Sequence, residues 1–271
     1  MTERLQKILS QWGFASRRQA EQMILDGRVC LNGEIVQIGQ KANPQQDWIE
    51  VDGTRIHPSN RPQPIYLLLH KPAGIVSTCH DPEGRSTVID LIAPSIGVDT
   101  GVHPVGRLDT ASTGALILTN NGAVTFSLTH PRHAVSKTYQ VWVEGSPGAN
   151  TLEQWRNGVM LGEQLTLPAE VRVLDQDRNQ TLLEIGLREG RNRQIRRVAE
   201  QLGYPVRQLH RVTIGSIQLG KLPSGQYRYL GDSEIEFLQV QSKGSKQTLP
   251  VLKMSEPDLI IGVSQSKGYK Q

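Results

Sequence analysis

The chain predicts an α+β fold in two units, on three observations. Its 271 residues exceed the roughly 100–200 that one domain usually holds. A proline-rich polar stretch at 57–64, HPSNRPQP, divides the chain unequally and reads as a linker. On both sides of it, short β-prone runs alternate with short amphipathic helical segments.

Composition narrows the class. Lys and Arg number 30 against 26 acidic residues, a net charge of +4, which permits a nucleic-acid partner without demanding one. Cys30 and Cys79 are far apart, and neither lies in a CxxC pair. No disulfide framework is expected, and a reducing cytoplasm fits. The seven histidines form no HxxxH or HxH pair, so no metal site is expected. No apolar run approaches the ~20 residues of a membrane span, and the start, MTERLQKILSQWG, is amphipathic. A soluble intracellular protein is expected.

In the first unit, Leu5, Ile8, Leu9 and Trp12 recur at helical spacing between Glu3 and the stop at Gly13. Ser16 with Gln19 three residues on is a capping-box pattern. It opens a second helix with Ala20, Met23 and Ile24 inward, ending near Gly27. The runs flanking Asn32-Gly33 predict a hairpin over Val29 to Val36, and Trp48 to Gly53 alternates like a further strand. Lys7, Arg17, Arg18 and Arg28 gather at the helix ends. They can meet RNA phosphates or form a solvated helix face. The pattern helix, Gly-x-x-SRR-x-A, helix, then Asn-Gly hairpin resembles the RNA-binding domain of ribosomal protein S-four type, the alpha-L motif, over residues 1 to about 50. That resemblance favours the phosphate contacts.

In the second unit, Ile65 to Lys71 is a β-prone run stopped by Pro72, with another, Ile75 to Thr78, behind it. Cys79 to Gly101 reads as a loop with one or two helical turns. The stretch His103 to Gly122, HPVGRLDTASTGALILTNNG, then sets a polar cluster before an apolar run, Ala115 to Leu118. That run reads as a buried strand ended by Asn120-Asn121-Gly122, so the polar cluster lies at the mouth of a core. Asp109 is the only carboxylate between Asp99 and Glu144. A lone carboxylate suits a nucleophile or charge stabiliser better than paired acid/base work. A turn aspartate bonding its own backbone is the alternative.

Ala123 to Leu128 continues as a helix. Lys137 to Val143 alternates as a strand with Tyr139, Val141 and Val143 on one face, which makes Tyr139 a core tyrosine or a cleft residue. Thr151 to Asn157 predicts a short helix, and Ala169 to Leu174 and Thr181 to Leu187 predict strands. In EGRNRQIRR, Glu189 to Arg197, Asn192 can cap a helix with Ile195, Val198, Ala199 and Leu202 inward. Four arginines at a helix start do not complement its dipole. They want an outside anion or a carboxylate partner, or else form a solvated basic turn. Leu209 to Gly215 and Tyr227 to Leu230 read as closing strands, and 241–271 as a flexible basic tail.

Taken together, Gly106-Arg107-Leu108-Asp109-Thr110 with Ser112-Thr113-Gly114, Lys137-Thr138-Tyr139, and Glu189 to Arg197 closely resemble the three ordered motifs of the ribosomal RNA pseudouridine synthases of the RsuA family. The resemblance covers residues 1 to about 240. It implies an RNA-binding domain over 1–56, a linker over 57–64, and an α+β catalytic domain with a mixed, largely antiparallel sheet over 65–240. It further implies isomerisation of one uridine in rRNA: Asp109 attacks either the ribose anomeric carbon or the uracil ring, the base detaches, rotates and re-bonds through carbon 5. Because the base neither leaves nor needs water, no second carboxylate is required, and an isomerisation requires no cofactor.

By the same resemblance Tyr139 stacks on the target base and Arg196 pairs with Asp109. Lys71, Arg107, Arg191 and Arg193 join the N-terminal cations as RNA contacts. Arg193 stands where relatives carry His. The third motif reads nearer the large-subunit members, so large-subunit rRNA acted on by a monomer is expected. The rivals are a non-catalytic RNA-binding or ribosome-assembly factor and an aspartate-dependent nucleoside hydrolase. Asp, Tyr and Arg at all three motif positions argue against the first, and the lack of a second carboxylate near Asp109 argues against the other.

Overall fold

The structure is a computed structural model that describes residues 2–57, 62–97 and 100–243. Residues 58–61 of the expected linker and the tail beyond 243 lie outside the described residues.

The first unit runs β1 (Glu3–Arg4), α1 (Leu5–Gln11), α2 (Arg17–Leu25), β2 (Val29–Leu31), β3 (Glu34–Ile35), β4 (Lys41–Ala42), β5 (Ile49–Val51) and β6 (Thr54–Ile56). The capping box forms at the start of α2. The Gln19 amide donates to Ser16 Oγ at 3.3 Å and the Ser16 amide to Gln19 Oε1 at 3.0 Å, satisfying two N–H groups the helix itself cannot. Leu5, Ile8, Leu9, Ala20 and Ile24 bury their stripe against Val29, Ile49 and Ile56. The sheet has the order β3-β2-β5-β6. Asn32 and Gly33 both take positive φ, 54° and 88°, the hairpin geometry that matches strand twist. Asp52 and Gly53, at 51° and 76°, repeat that geometry and add β6, a strand beyond the expected ones.

The second unit contains β7 (Tyr66–Lys71), α3 (Ala93–Ile96), β8 (His103–Pro104), β9 (Thr113–Thr119), α4 (Gly122–Thr129), β10 (Lys137–Glu144), α5 (Ala149–Asn157), β11 (Met160–Leu161), β12 (Gln164–Leu165), β13 (Glu170–Gln176), β14 (Gln180–Leu187), α6 (Gln194–Gln201), β15 (Val206–Ile214), β16 (Ile217–Gln218), β17 (Tyr227–Tyr229) and α7 (Asp232–Lys243). One nine-stranded sheet has the order β13-β14-β10-β15-β9-β7-β17, with β16 beside β15 and β8 beside β9. All its pairings are antiparallel except β9 with β15, so the sheet is mixed and largely antiparallel.

Continuous apolar runs are needed where a strand is covered on both faces, and β7 and β9 are such strands. Leu67, Leu69, Leu116 and Leu118 pack toward α5 and α6 with Trp155, Ile195 and Val198. Leu68, Ala115 and Ile117 pack toward α4 and α7 with Val124, Leu128 and Leu238. Two expectations change. Ile75 to Thr78 forms no strand, only an isolated bridge between Val76 and Thr87, because it wraps the loop described below. The tail expected from 241 is entered by α7, a helix beyond the expected ones, which begins with Asp232 and Glu234 in its first turn, favourable to the helix dipole, and runs to Lys243.

Candidate active site

Asp109 stands on the loop between β8 and β9, and that loop is pinned from beneath. The Lys71 ammonium, at the end of β7 and fully buried, donates to the carbonyls of Pro72 (2.8 Å), Ser112 (2.9 Å) and Thr110 (3.3 Å). The Ser77 hydroxyl donates to Leu108 O at 2.8 Å and accepts from its amide at 3.2 Å. The Ser112 amide closes the turn on Asp109 O at 2.9 Å. These bonds use backbone groups, so the half-exposed Asp109 carboxylate is left to face the cavity.

Two guanidinium groups approach it. Asp109 Oδ2 lies 3.8 Å from Arg193 Nη1 and 4.0 Å from Arg196 Nε. Both are ion pairs longer than hydrogen bonds. Arg196 Nη2 also reaches Ser112 Oγ at 3.3 Å. Burial lowers the Arg196 pKa, Arg193 lowers it further, and Asp109 opposes both. Arginine still stays charged.

Helix α6 does not start on Asn192 as expected. Its N-cap is Arg193, in the left-handed region at φ 49° and without a side-chain cap. Gln194, the first residue of the helix, instead braces the turn that leads into it: its Oε1 accepts the Arg191 amide at 3.1 Å and its Nε2 donates to Glu189 Oε1 at 2.7 Å. Left-handed backbone is uncommon for a side-chain-bearing residue. Here it turns Arg193 toward Asp109.

Behind the carboxylate a cavity of about 500 Å³ is lined by Asp109, Tyr139, Arg196, Arg193, Arg107 and Arg211, among others. Tyr139, on β10, is 9% exposed and sits opposite Arg211 of β15 in the strand register. The Arg211 guanidinium carbon is 6.0 Å from the Tyr139 ring centroid. Lys137 Nζ donates to Val135 O at 2.9 Å, and burial, reinforced by Arg211, lowers its pKa to about 8. Sequence reasoning does not single out Arg211 or Lys137 as site residues. The available signal is that Arg211 shares the inward period-2 face with Leu209, where a cation is out of place.

Of the residues expected to touch RNA, Arg107 and Arg193 are exposed at the cavity. Lys71 is corrected: it is itself buried and its three donors are committed to the carbonyls of Pro72, Thr110 and Ser112, so it holds the loop rather than a phosphate. Arg191 is corrected likewise. Its guanidinium is spent on Glu189 Oε2 (3.1 Å) and the carbonyls of Gln164 (3.2 Å) and Leu165 (2.6 Å), tying the turn to the β11–β12 hairpin. In the first unit Arg17 and Arg18 are exposed. Lys7 pairs with Glu3 at 3.0 Å. Arg28 makes two bonds with Asp52 at 2.8 and 2.6 Å, which neutralise it locally.

The carboxylates lining the cavity are Asp109 and Glu189. Both Glu189 oxygens are occupied, by Arg191, Gln194 and the Leu167 amide. Among the described residues no group of three His, Cys, Asp or Glu could hold a metal ion, and no helix is long and apolar enough to cross a membrane.

Residues 65–201 match the family model described as RNA pseudouridylate synthase, and residues 3–47 match the S4 domain. The chain is 36% identical over 247 residues to "Ribosomal large subunit pseudouridine synthase B" of Bacillus subtilis (strain 168), covering 90% of this chain and 98% of that protein. It is 33% identical over 236 residues to "Ribosomal small subunit pseudouridine synthase A" of Vibrio vulnificus (strain CMCP6), covering 86% and 98%. A solved structure titled "Crystal structure of pseudouridylate synthase" superposes with a TM-score of 0.63 at 31% identity, covering 87% of this chain and 99% of that one.

Proposed function

The chain belongs to the RNA pseudouridylate synthase family, and on that premise we propose that it converts one uridine of ribosomal RNA to pseudouridine with Asp109 as nucleophile. The observation that carries this reading is a single uncommitted carboxylate at the mouth of a cavity, flanked by Arg193 and Arg196 at 3.8 and 4.0 Å, with Glu189 fully engaged. Hydrolysis would want a second carboxylate to activate water. An isomerisation that keeps the base in the site does not.

In this reading the Asp109 carboxylate attacks the ribose anomeric carbon as the glycosidic bond breaks, and Arg196 pairs with it and keeps it aimed. The detached uracil stays against Tyr139, whose sheltered ring suits a base taken out of its stack. It rotates and re-bonds through carbon 5. Arg107 and Arg193 meet phosphates near the cavity, and Arg17 and Arg18 meet them from the S4 domain.

The catalytic domain spans 65–243, to the end of α7, and the RNA-binding domain 1–56, joined by the linker 57–64, with a basic tail beyond. The enzyme works as a monomer in the cytoplasm, on large-subunit rRNA rather than small. That choice draws on the motif Glu189 to Arg197 and on the Bacillus subtilis relative's name.

Release of tritium from rRNA labelled at uracil carbon 5 tests the reaction, because the new carbon–carbon bond expels that proton. No release, or release of free uracil, refutes it. Mapping pseudouridines in both rRNAs of a deletion strain tests the choice of subunit.

A further inference from the structure

Arg211 is 4% exposed, lines the cavity beside Tyr139, and has no carboxylate within ion-pair distance among the described residues. Its Nε donates to Ala115 O at 2.7 Å, which anchors one edge of the guanidinium, while its buried Nη2 has no hydrogen-bond partner. A buried cation left uncompensated costs several kcal/mol. Folds retain such groups where a ligand completes them.

The backbone beneath is equally constrained. Gly114 of β9 pairs with Arg211 in the parallel register, and a Cβ built on Gly114 would fall 2.2 Å from Arg211 O. Gly114 therefore lets β15 approach closely enough to set the guanidinium against the Tyr139 ring.

We infer that Arg211 is a further catalytic residue, which donates a charge-assisted hydrogen bond to a carbonyl oxygen of the detached uracil and stabilises it as an anion. The inference rests on the reading of the chain as a pseudouridine synthase. When the C1′–N1 bond breaks, its electron pair stays on uracil and spreads over N1, C2 and O2. When the C1′–C5 bond forms, the ring's electrons return to bonding, Asp109 is released, carbon 5 loses its proton and N1 gains one. The ring is thus anionic only between the two bonds. A fixed cation there favours the high-energy species over bound uridine, which is the condition for acceleration. Depth argues for the ring and against a phosphate, since Tyr139 shares the same sheltered wall.

The test is single-turnover kinetics on rRNA with Arg211→Met and Arg211→Lys, alongside RNA affinity and thermal melting. Arg211→Met should lower kcat roughly 10²–10³-fold, the usual effect of removing one oxyanion donor, with affinity unchanged. Arg211→Lys should fall between Met and wild type, because one ammonium cannot hold Ala115 O and reach the ring together. A folded Met variant within threefold of wild-type kcat, or a loss confined to KM, overturns the inference. Should the Met variant not fold, a Lys variant with wild-type kcat overturns it alone. Wild-type enzyme without tritium release would instead sink the function on which the inference rests.

Discussion

Gly114 and Arg211 face each other across the one parallel pairing of the large sheet, so closely that their backbones leave no room for a methyl group. The Gly114 φ of +109° independently excludes most side chains. Gly114→Ala should therefore part β9 from β15 and cost on the order of 3 kcal/mol or more. Urea titration would show it, and an unchanged midpoint would refute the close approach.

Lys71→Met keeps the buried volume but frees the carbonyls of Pro72 and Thr110 to water and strands that of buried Ser112, an unpaired buried acceptor costing about 1–3 kcal/mol. We expect a loss of roughly 1–3 kcal/mol in stability and a fall in kcat, because the loop that aims Asp109 loosens. RNA affinity retained beside reduced kcat would support this. Full activity would remove Lys71 from the positioning of the loop.

The same group sets a pH dependence. Burial lowers the Lys71 pKa from 10.5 to about 8, against the opposing pull of Asp109. Above about 8 the folded protein gives up this proton before the unfolded chain does. Between about 8 and 10.5 the unfolded state binds more protons, so this group's contribution makes stability rise with pH. Activity should move the other way, since the neutral amine cannot supply all three carbonyls. Lys137 titrates in the same window, so the alkaline loss of kcat should persist in Lys137→Met and be absent from the residual activity of Lys71→Met.

Asp109→Asn preserves shape and removes charge and nucleophilicity, so kcat should drop by several powers of ten while RNA affinity holds. Arg196→Gln should cost less, on the order of 10²-fold, because Arg193 still faces the carboxylate. Tritium release from carbon-5-labelled rRNA measures both. A near-native Asp109→Asn rate would exclude it as nucleophile.

Arg17 and Arg18 are exposed and make no ion pair among the described residues, unlike Lys7 and Arg28. Their joint replacement by Ala should weaken rRNA binding and make log K fall less steeply with log salt, by about 0.7–0.9 for each phosphate no longer neutralised. The Arg28→Ala change should alter that slope less, since Asp52 already neutralises Arg28. Equal slopes in all variants would take the first helix turn of α2 out of the interface.

What the sequence determined by itself was whatever depends on neighbours along the chain. The Ser16 and Gln19 capping box, the Asn32-Gly33 turn, the doubly buried run before Asn120 and the period-2 face of Tyr139 are local patterns with local physical causes. The isolation of Asp109 among basic groups was legible for the same reason. Tertiary structure decided which arginine does what. Arg191, Arg193 and Arg196 look alike in a string of basic residues, yet one ties down a hairpin and two face Asp109. That division comes from a left-handed Arg193 at the position before the helix and from Gln194 bracing the turn through Arg191 and Glu189. Lys71 and Arg211 were likewise undecided, because burial and partners come from strands that are remote in sequence. A cation's role follows from the carbonyls or the empty space it meets after packing, and no periodicity along the chain encodes that.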